Sequence, residues 1–201
     1  MTEASITLDT ATARKAMIDS QLRTSGVNEE FVLSRMMSVG REDFLPSDKA
    51  SLAYIDRSIA LENGSHLASP LFYGKLLTEA DPSASDSVLI VDGGTGYLAA
   101  LIDPLVSKTT TIAADEAAKG GGVDAGTYSL ILIDGAIEDL PDTLSAGLAD
   151  NGVIVGGMVE RGVTRLVSGR KIAGQTAIQA IEDIGIPVLP QFNKAKTWTF
   201  S

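Results

Sequence analysis

The most constraining feature of the sequence is a short apolar strand that runs into a glycine-rich turn and then into a helix. Residues 87–92 read Ser-Val-Leu-Ile-Val-Asp, residues 93–96 read Gly-Gly-Thr-Gly, and a helical pattern follows from Tyr97 to Val106. Glycine lets backbone N–H groups at such a turn approach a ligand closely, because it has no Cβ atom. The pattern therefore predicts either a ligand site beyond the end of the strand or a tight turn without a ligand.

Further strand and helix signals follow the glycine turn. Apolar segments at residues 109–113, 129–134 and 153–155 alternate with a helical pattern at residues 140–149. Continuous apolar strands between helices are typical of a parallel sheet that is buried on both faces. Segments 163–167 and 177–181 are strand-like, and residues 197–200 alternate with period two. We therefore expect an α/β fold with a mostly parallel, Rossmann-like sheet and an antiparallel C-terminal edge.

Helices precede this sheet. Apolar residues recur at helical spacing from Thr10 to Thr24, and Gly26 is expected to end that helix. Asn28 is a candidate N-cap for a second helix with a core side of Val32, Leu33, Met36 and Met37, and Pro70 suits the first turn of a third helix. The chain of 201 residues is long enough for one domain, with residues 1–80 as a helical part and residues 81–201 as the sheet.

Charge and residue content exclude several classes of function. The net charge of −10 and the lack of a basic run disfavour a nucleic-acid partner, because phosphate binding needs clustered Lys and Arg. The absence of cysteine excludes disulfides and thiolate sites, and a lone His66 cannot build a multi-histidine metal site. No segment has the length and apolarity of a membrane span or the pattern of a signal peptide. We expect a cytoplasmic location, no membrane partner, and the possibility of a homo-oligomer.

The glycine turn also matches a weak nucleotide-binding pattern. Gly94 to Ala99 fits the G-x-G-x-x-A variant of the dinucleotide fingerprint. A ribose ligand also needs a carboxylate near the end of the next strand, and Asp115 and Glu116 lie just beyond that end. No tyrosine is followed four residues later by the lysine of a Tyr-x-x-x-Lys helix, which disfavours an NAD(P)-dependent oxidoreductase without excluding it.

The order of motifs resembles the protein-L-isoaspartate O-methyltransferase family over nearly the whole chain. The similar segments are residues 17–23 (MIDSQLR), 41–46 (REDFLP), 53–57 (AYIDR), the glycine turn with Gly94, Gly96 and Tyr97, residues 128–141 and residues 151–155. The resemblance implies an S-adenosylmethionine-dependent fold that transfers a methyl group to the carboxylate of an isomerised aspartate in damaged protein. A protein or peptide substrate and S-adenosylmethionine as cofactor follow from it.

The resemblance also assigns candidate site residues. The family's peptide-binding loop, Thr-Ile-Ser-Gln-Pro, matches residues 66–70, which puts Ala68 at the position of the active-site serine, with Ser69 and His66 as neighbouring candidates. The cofactor candidates are Asp92, Gly94, Gly96, Tyr97, Asp115 and Asp134, and Asp56 matches an acidic position near the substrate. For three of these a structural role competes: His66 as an exposed loop residue, Asp56 as a partner of Arg57, and Asp134 as a helix N-cap.

Several family positions carry different residues in this chain. The acidic residue near the end of the first strand falls on Ile90, the first glycine of the turn on Asp92, and the ribose-binding acidic residue on Ala113. Asp92 and Asp115 could replace the missing carboxylates from positions two residues away. We therefore keep two hypotheses: a methyltransferase with weakened cofactor binding, or an inactive family member that serves as a protein-binding or oligomerisation module.

The length of one crossover predicts a narrower sheet. Only 15 residues separate Ala113 from Ser129, and a single parallel crossover already needs a dozen or more. The segment contains Gly120–Gly122, a poor helix interior. We therefore expect a sheet that is one strand short, with these three glycines in a surface loop.

Overall fold

The N-terminal helix is longer than its sequence pattern indicates. The computed structural model describes residues 3–62 and 64–194, with side chains from Thr10 onward. Helix α1 spans Glu3–Met17 and continues as a π-helical turn (Ile18–Leu22) and a 3-10 turn (Arg23–Ser25). Gly26 ends it in the left-handed conformation with φ of +83°, as predicted.

The second helix starts later than predicted. Helix α2 spans Glu30–Ser38 and its N-cap is Glu29, so the prediction of Asn28 as the cap is wrong. The reason is local: the backbone N–H of Asn28 itself donates to the carboxylate of Glu29. The predicted core residues Val32, Leu33 and Met36 are buried, whereas Met37 is exposed because it lies on the outer side of the helix.

A short hairpin and a capped helix lead from the helical part to the sheet. Strands β1 (Ile59–Ala60) and β2 (His66–Leu67) pair antiparallel and were not predicted from the sequence. Helix α3 spans Pro70–Ala80 and begins at proline as expected, because proline has no N–H to leave unpaired at that position. The hairpin thus presents His66 immediately before the helix.

Six strands of the described residues form the main sheet. In chain order its elements are β3 (Ser87–Asp92), α4 (Tyr97–Ile102), β4 (Lys108–Ala113), α5 (Ala114–Ala118), β5 (Tyr128–Ile137), α6 (Asp142–Gly147), β6 (Leu148–Glu160), β7 (Val163–Ile172) and β8 (Gln175–Asp183). The spatial order is β4-β3-β5-β6-β7-β8. Strands β4, β3, β5 and β6 are parallel, and β7 and β8 extend the sheet antiparallel.

Both faces of the central strands are buried, as the continuous apolar pattern predicts. In β3, Val88 and Ile90 pack into one hydrophobic cluster with helices α2 and α3, while Leu89 and Val91 pack into a second cluster on the opposite face. This alternation follows from the period-two geometry of a strand. The ends of β3 and β5 are therefore held rigidly where the glycine turn begins.

The crossover from β4 to β5 contains no strand. Residues 114–127 form the five-residue helix α5 and a loop that includes Gly120–Gly122. Strand β4 is consequently an edge of the sheet, which confirms the prediction from the length of the segment.

The last part of the described chain returns to the ends of the strands. The backbone of Ala136 donates to the Pro187 carbonyl and accepts from the Leu189 N–H, both at 2.8 Å. These bonds place residues 187–191 beside the carboxyl ends of β3, β4 and β5. The predicted edge strand at residues 197–200, with Trp198, lies outside the described residues. Strand β8 forms the antiparallel edge among the described strands.

Candidate active site

The glycine turn is closed by the aspartate that precedes it. Asp92, the last residue of β3, accepts the backbone N–H of Gly96 through Oδ1 at 3.0 Å. Gly94 and Gly96 have φ values of +101° and +73°, a region that favours glycine. Asp92 and Gly96 were predicted to contact a cofactor, and in this structure they bond to each other across the turn.

A cavity of about 320 Å³ opens beside this turn. We call it the glycine-turn cavity; the hairpin residues 64–66, the ends of β3, β4 and β5, and residues 187–191 line it. Of the predicted cofactor residues it contains Asp92, Gly94, Asp115 and Asp134, while Gly96 and Tyr97 lie outside its lining. Its place at the carboxyl ends of parallel strands is where open α/β sheets bind ligands.

The glycine turn is packed tightly from two sides. A Cβ atom on Gly93 would lie 2.4 Å from the backbone oxygen of Asp134, and one on Gly94 would lie 2.7 Å from the Cβ of Ser65. Both glycines are thus required by close contacts within the protein. Ser65, which the sequence analysis did not single out, covers part of the turn.

The lining of the glycine-turn cavity is acidic. Its lining residues include Asp92, Asp115 and Asp134, of which Asp134 has both carboxyl oxygens buried, and no Lys or Arg among the described residues. Asp115 is exposed and pairs with Lys119 at 3.4 Å, one turn along α5. A cavity with this lining favours a ligand that carries positive charge, because carboxylates attract cations and repel anions.

Asp134 is the buried carboxyl group of this cavity. It ends the apolar stretch of β5 and is 4% exposed, and among the described residues the Tyr73 hydroxyl and the Gly93 N–H approach its buried carboxyl oxygens as donors, without reaching full hydrogen-bond geometry. Burial raises its pKa to about 7, and the nearby charge of Asp92 acts in the same direction. The Tyr73 hydroxyl, the Gly93 N–H and the Arg41 charge oppose this rise in pKa. The predicted alternative role as a helix N-cap does not apply, because Asp134 lies within β5.

A buried arginine organises the layer behind the cavity. Arg41 is fully buried and donates from Nε to the Ala53 carbonyl and from Nη2 to the Ala68 carbonyl, both at 2.7 Å. Its guanidinium lies 5.6 Å from the ring centroid of Tyr73 and 5.2 Å from that of Tyr97. Arg41 lies in the segment 41–46 that resembles the family, and its burial was not predicted from the sequence.

This packing places two predicted site residues in the core. Tyr97 is fully buried and meets Tyr73 edge-on with centroids 4.9 Å apart. Ala68 is 1% exposed, with its carbonyl held by Arg41. Neither residue lines the glycine-turn cavity or the cavity beside Asp56 and Arg57.

A second cavity of about 560 Å³ adjoins the first. We call it the Asp56 cavity; Asp56, Arg57, Ser58, Ser69 and residues 184–188 contribute to its lining. His66, Pro187 and Val188 line both cavities. The structure thus brings the candidate residues His66, Ser69 and Asp56 to one cavity.

Ser69 is the N-cap of helix α3. Its hydroxyl accepts the Phe72 N–H at 3.3 Å and caps helix α3. A serine before Pro and an apolar run is a recognisable N-cap signal. The segment 184–191 was missed as part of the site, because its position depends on hydrogen bonds to β5 that no local pattern indicates.

Comparisons with known proteins agree with the resemblance. A family model described as protein-L-isoaspartate(D-aspartate) O-methyltransferase matches residues 12–120. The protein-L-isoaspartate O-methyltransferase of Koribacter versatilis is 30% identical over 193 residues, covering 85% of this chain and 87% of the relative. That of Bradyrhizobium sp. is 28% identical over 207 residues, covering 90% and 96%.

Solved structures share the fold. A protein-L-isoaspartate O-methyltransferase from Plasmodium falciparum, in complex with S-adenosyl-L-homocysteine, has a TM-score of 0.66 at 16% identity and covers 90% of this chain and 98% of its own. A second protein-L-isoaspartate O-methyltransferase structure has a TM-score of 0.68 at 17% identity, covering 88% and 65%. Within residues 3–62 and 64–194 no helix is long and apolar enough to cross a membrane.

Proposed function

Because this chain belongs to the protein-L-isoaspartate(D-aspartate) O-methyltransferase family, we propose that it transfers methyl groups from S-adenosylmethionine to isoaspartyl carboxylates of damaged protein, with weakened hold on the cofactor. The observation that carries this proposal is the pair of cavities that meet at His66. One cavity lies beside the glycine turn and the other beside Asp56 and Arg57. Two adjoining chambers suit a reaction between a small cofactor and a protein side chain.

The residues of the glycine-turn cavity fit a cationic cofactor. The backbone of Gly93 and Gly94 borders the cavity, and the carboxylates of Asp92 and Asp115 supply negative charge. When bound, the sulfonium compound supplies a methyl group to an acceptor oxygen, and the electron pair of the broken S–C bond stays on sulfur. Asp115, which follows β4, is the described carboxylate best placed to accept hydrogen bonds from ribose hydroxyls.

The hold on the cofactor is weakened at the strand that precedes Asp115. Strand β4 ends in Ala113, where the resemblance places a ribose-binding carboxylate, and Asp115 is 62% exposed and paired with Lys119. An exposed carboxylate contributes less to binding than a buried one, because water screens its charge. The crossover from β4 to β5 adds no further strand, so β4 is the edge of the sheet and Asp115 lies just beyond that edge strand.

Methyl transfer to a carboxylate requires no general base from the protein. An acceptor carboxylate is already ionised at neutral pH, so catalysis depends on holding its oxygen in line with the transferred methyl group. His66 lies between the cavities and offers an imidazole N–H to that oxygen, and Arg57 in the Asp56 cavity offers positive charge. Proximity of the two reactants, set by these residues, is the source of rate enhancement.

The test is a paired measurement of binding and transfer. Isothermal titration calorimetry with S-adenosylmethionine is expected to give a dissociation constant in the micromolar to millimolar range. Methyl incorporation is expected into an isoaspartyl peptide and not into the same peptide with ordinary aspartate. Binding of the cofactor without any transfer to the isoaspartyl peptide would contradict the proposed reaction.

A second candidate function is a non-catalytic, protein-binding or oligomerisation module. Two observations favour it: Ala68 is buried at the position of the family serine, and Ser65 covers part of the glycine turn. This candidate requires that S-adenosylmethionine neither binds nor shifts the melting temperature at millimolar concentration. The same titration therefore separates the two candidates.

A further inference from the structure

Strand β8 is an open edge of the six-stranded sheet. It spans Gln175–Asp183 and, among the described strands, pairs only with β7. Eight of its nine residues are exposed, so no described segment of the chain covers it. The outer side of such a strand presents backbone N–H and C=O groups that can pair with a strand of another chain.

The usual protection of an open edge is missing from β8. Proteins commonly protect edge strands by short length, by lysine or by proline. The other edge of this sheet, β4, is six residues long and starts with Lys108. In contrast, β8 is nine residues long, contains no Lys, Arg or Pro, and exposes Ile178 at 38% and Ile181 at 42%. Of the two edges of the described sheet, β8 is therefore the one suited to pairing.

The charge pattern of β8 restricts the kind of partner. Residues 175–180 pair regularly with β7, read Gln-Thr-Ala-Ile-Gln-Ala and carry no charge. A β-bulge follows this stretch. Beyond the bulge, Glu182 forms an ion pair with Lys75 at 3.1 Å, and Asp183 forms one with Arg165 at 2.7 Å. An uncharged stretch does not attract a charged peptide, and it brings no like charges together when it pairs with its own copy.

We propose that β8 is a dimerisation edge, at which a second copy of this chain pairs antiparallel and joins two six-stranded sheets into one. A two-fold axis perpendicular to the sheet brings residues of the same face opposite each other, as the period of two in a strand requires. With the axis at Ile178, this residue faces its own copy, and Ala177 faces Gln179 of the second copy. Thr176 then faces Ala180. The pairing covers the exposed side chain of Ile178 and opposes no charges.

The pairing closes at two copies. Each chain has one unprotected edge among its described strands, and a two-fold contact uses the same edge of both chains, so it does not continue into a fibre. The contact of a single strand pair is small, and a dissociation constant in the micromolar range is expected. No residue of β8 lines the glycine-turn cavity or the Asp56 cavity. Dimerisation therefore stands or falls independently of the proposed function.

The first measurement is sedimentation velocity of the full chain from low micromolar to submillimolar concentration, where a reversible monomer–dimer equilibrium is expected. Hydrogen–deuterium exchange of wild type at both ends of this range locates the interface. Amide exchange in residues 175–180 is expected to slow several-fold at high concentration, while exchange in β4 stays unchanged. This second measurement does not depend on a variant that folds.

The variant Gln179→Lys adds a charge to the uncharged stretch at an exposed position. Dimerisation is expected to weaken by about tenfold or more, because two lysines approach each other across the two-fold axis. Thr111→Lys, at an exposed position of the other edge strand, β4, is the matched control and is expected to dimerise as wild type does.

Three results would overturn the proposal. The first is a full chain that stays monomeric over the whole concentration range, or that grows beyond the dimer. The second is a dimer that Gln179→Lys leaves intact, because the interface would then lie elsewhere. The third is slow exchange of residues 175–180 at every concentration, because a segment of the same chain would then cover the edge.

Discussion

Gly93 and Asp134 are in such close contact that no side chain fits between them. A Cβ atom on Gly93 would lie 2.4 Å from the backbone oxygen of Asp134 and 3.3 Å from its Cγ. Gly93 and Asp134 lie side by side because β3 and β5 are adjacent parallel strands, so their carboxyl ends point in the same direction. The contact joins the glycine turn to the buried carboxyl group of the candidate site.

The first prediction concerns this contact. Gly93→Ala is expected to lower the free energy of unfolding by about 1–3 kcal/mol, because the backbone of β5 must move to accept a methyl group. Urea denaturation measures the change. Gly185→Ala, where nothing lies within 4 Å of the added atom, is the matched control and is expected to be nearly neutral. Equal stability of Gly93→Ala and Gly185→Ala would contradict the close contact between Gly93 and Asp134.

The second prediction concerns the pH dependence of stability. The folded pKa of Asp134, about 7, is higher than its ordinary value of 3.8, so the folded state holds the proton more strongly than the unfolded state. The free energy of unfolding therefore falls as pH rises from about 4 to about 7, because the folded state must give up a proton that it holds more strongly. Above about pH 7 this group contributes no further change. Asp134→Asn removes the loss and is expected to be more stable than wild type by about 2–4 kcal/mol at pH 8, with a smaller difference at pH 4.

Denaturant melts of wild type and Asp134→Asn at several pH values measure this difference. Asp124→Asn, at an exposed position outside the glycine-turn cavity, serves as the control, and its stability is expected to follow that of wild type at every pH. A difference between Asp134→Asn and wild type that does not change between pH 4 and pH 8 would mean that Asp134 is ionised normally in the folded protein.

The third prediction separates capping from chemistry at Ser69. Ser69→Ala removes the acceptor for the Phe72 N–H and is expected to cost about 1 kcal/mol of stability. Ser69→Asp keeps a capping oxygen and is expected to retain most of that stability. Thermal melts give the stabilities, and methyl transfer to an isoaspartyl peptide gives the activity. Retained stability with lost transfer in Ser69→Asp would assign the hydroxyl a role in the reaction.

The fourth prediction concerns the buried arginine. Arg41→Met keeps much of the volume but leaves the carbonyls of Ala53 and Ala68 without their donor. Two unpaired buried acceptors are expected to cost about 2–5 kcal/mol in total. Urea denaturation measures the loss, with Arg23→Met as the control, because Arg23 forms an exposed pair with Asp19. A loss below about 0.5 kcal/mol, typical of surface changes, would contradict the structural role of Arg41.

Local patterns predicted the parts of the fold that depend on local chemistry. The strand at residues 87–92, its glycine turn and the helix from Tyr97 were all found, because apolar runs and glycines specify them directly. The missing strand followed from chain length alone. The start of α2 was misplaced, because two neighbouring polar residues compete for one cap and spacing does not decide between them.

Tertiary features of the site were beyond these patterns. The burial of Arg41 depends on carbonyls 12 and 27 residues away in sequence, and a charged residue is assigned to the surface by default. Tyr97 follows the glycine turn, but its ring packs against Tyr73 in the core. Residues 187–191 reach the cavity only through pairing with β5. Each of these positions is set by contacts between distant segments.

The bonds that hold residues 187–191 to β5 have a mechanical consequence. Ala136 anchors Pro187 and Leu189 through both of its backbone groups, and it lies two residues after Asp134 on the same strand. Pro187 and Val188 form the partition between the two chambers. The partition and the buried carboxyl group of Asp134 are therefore both held by the end of β5. A shift of that strand end would change the volumes of both cavities together.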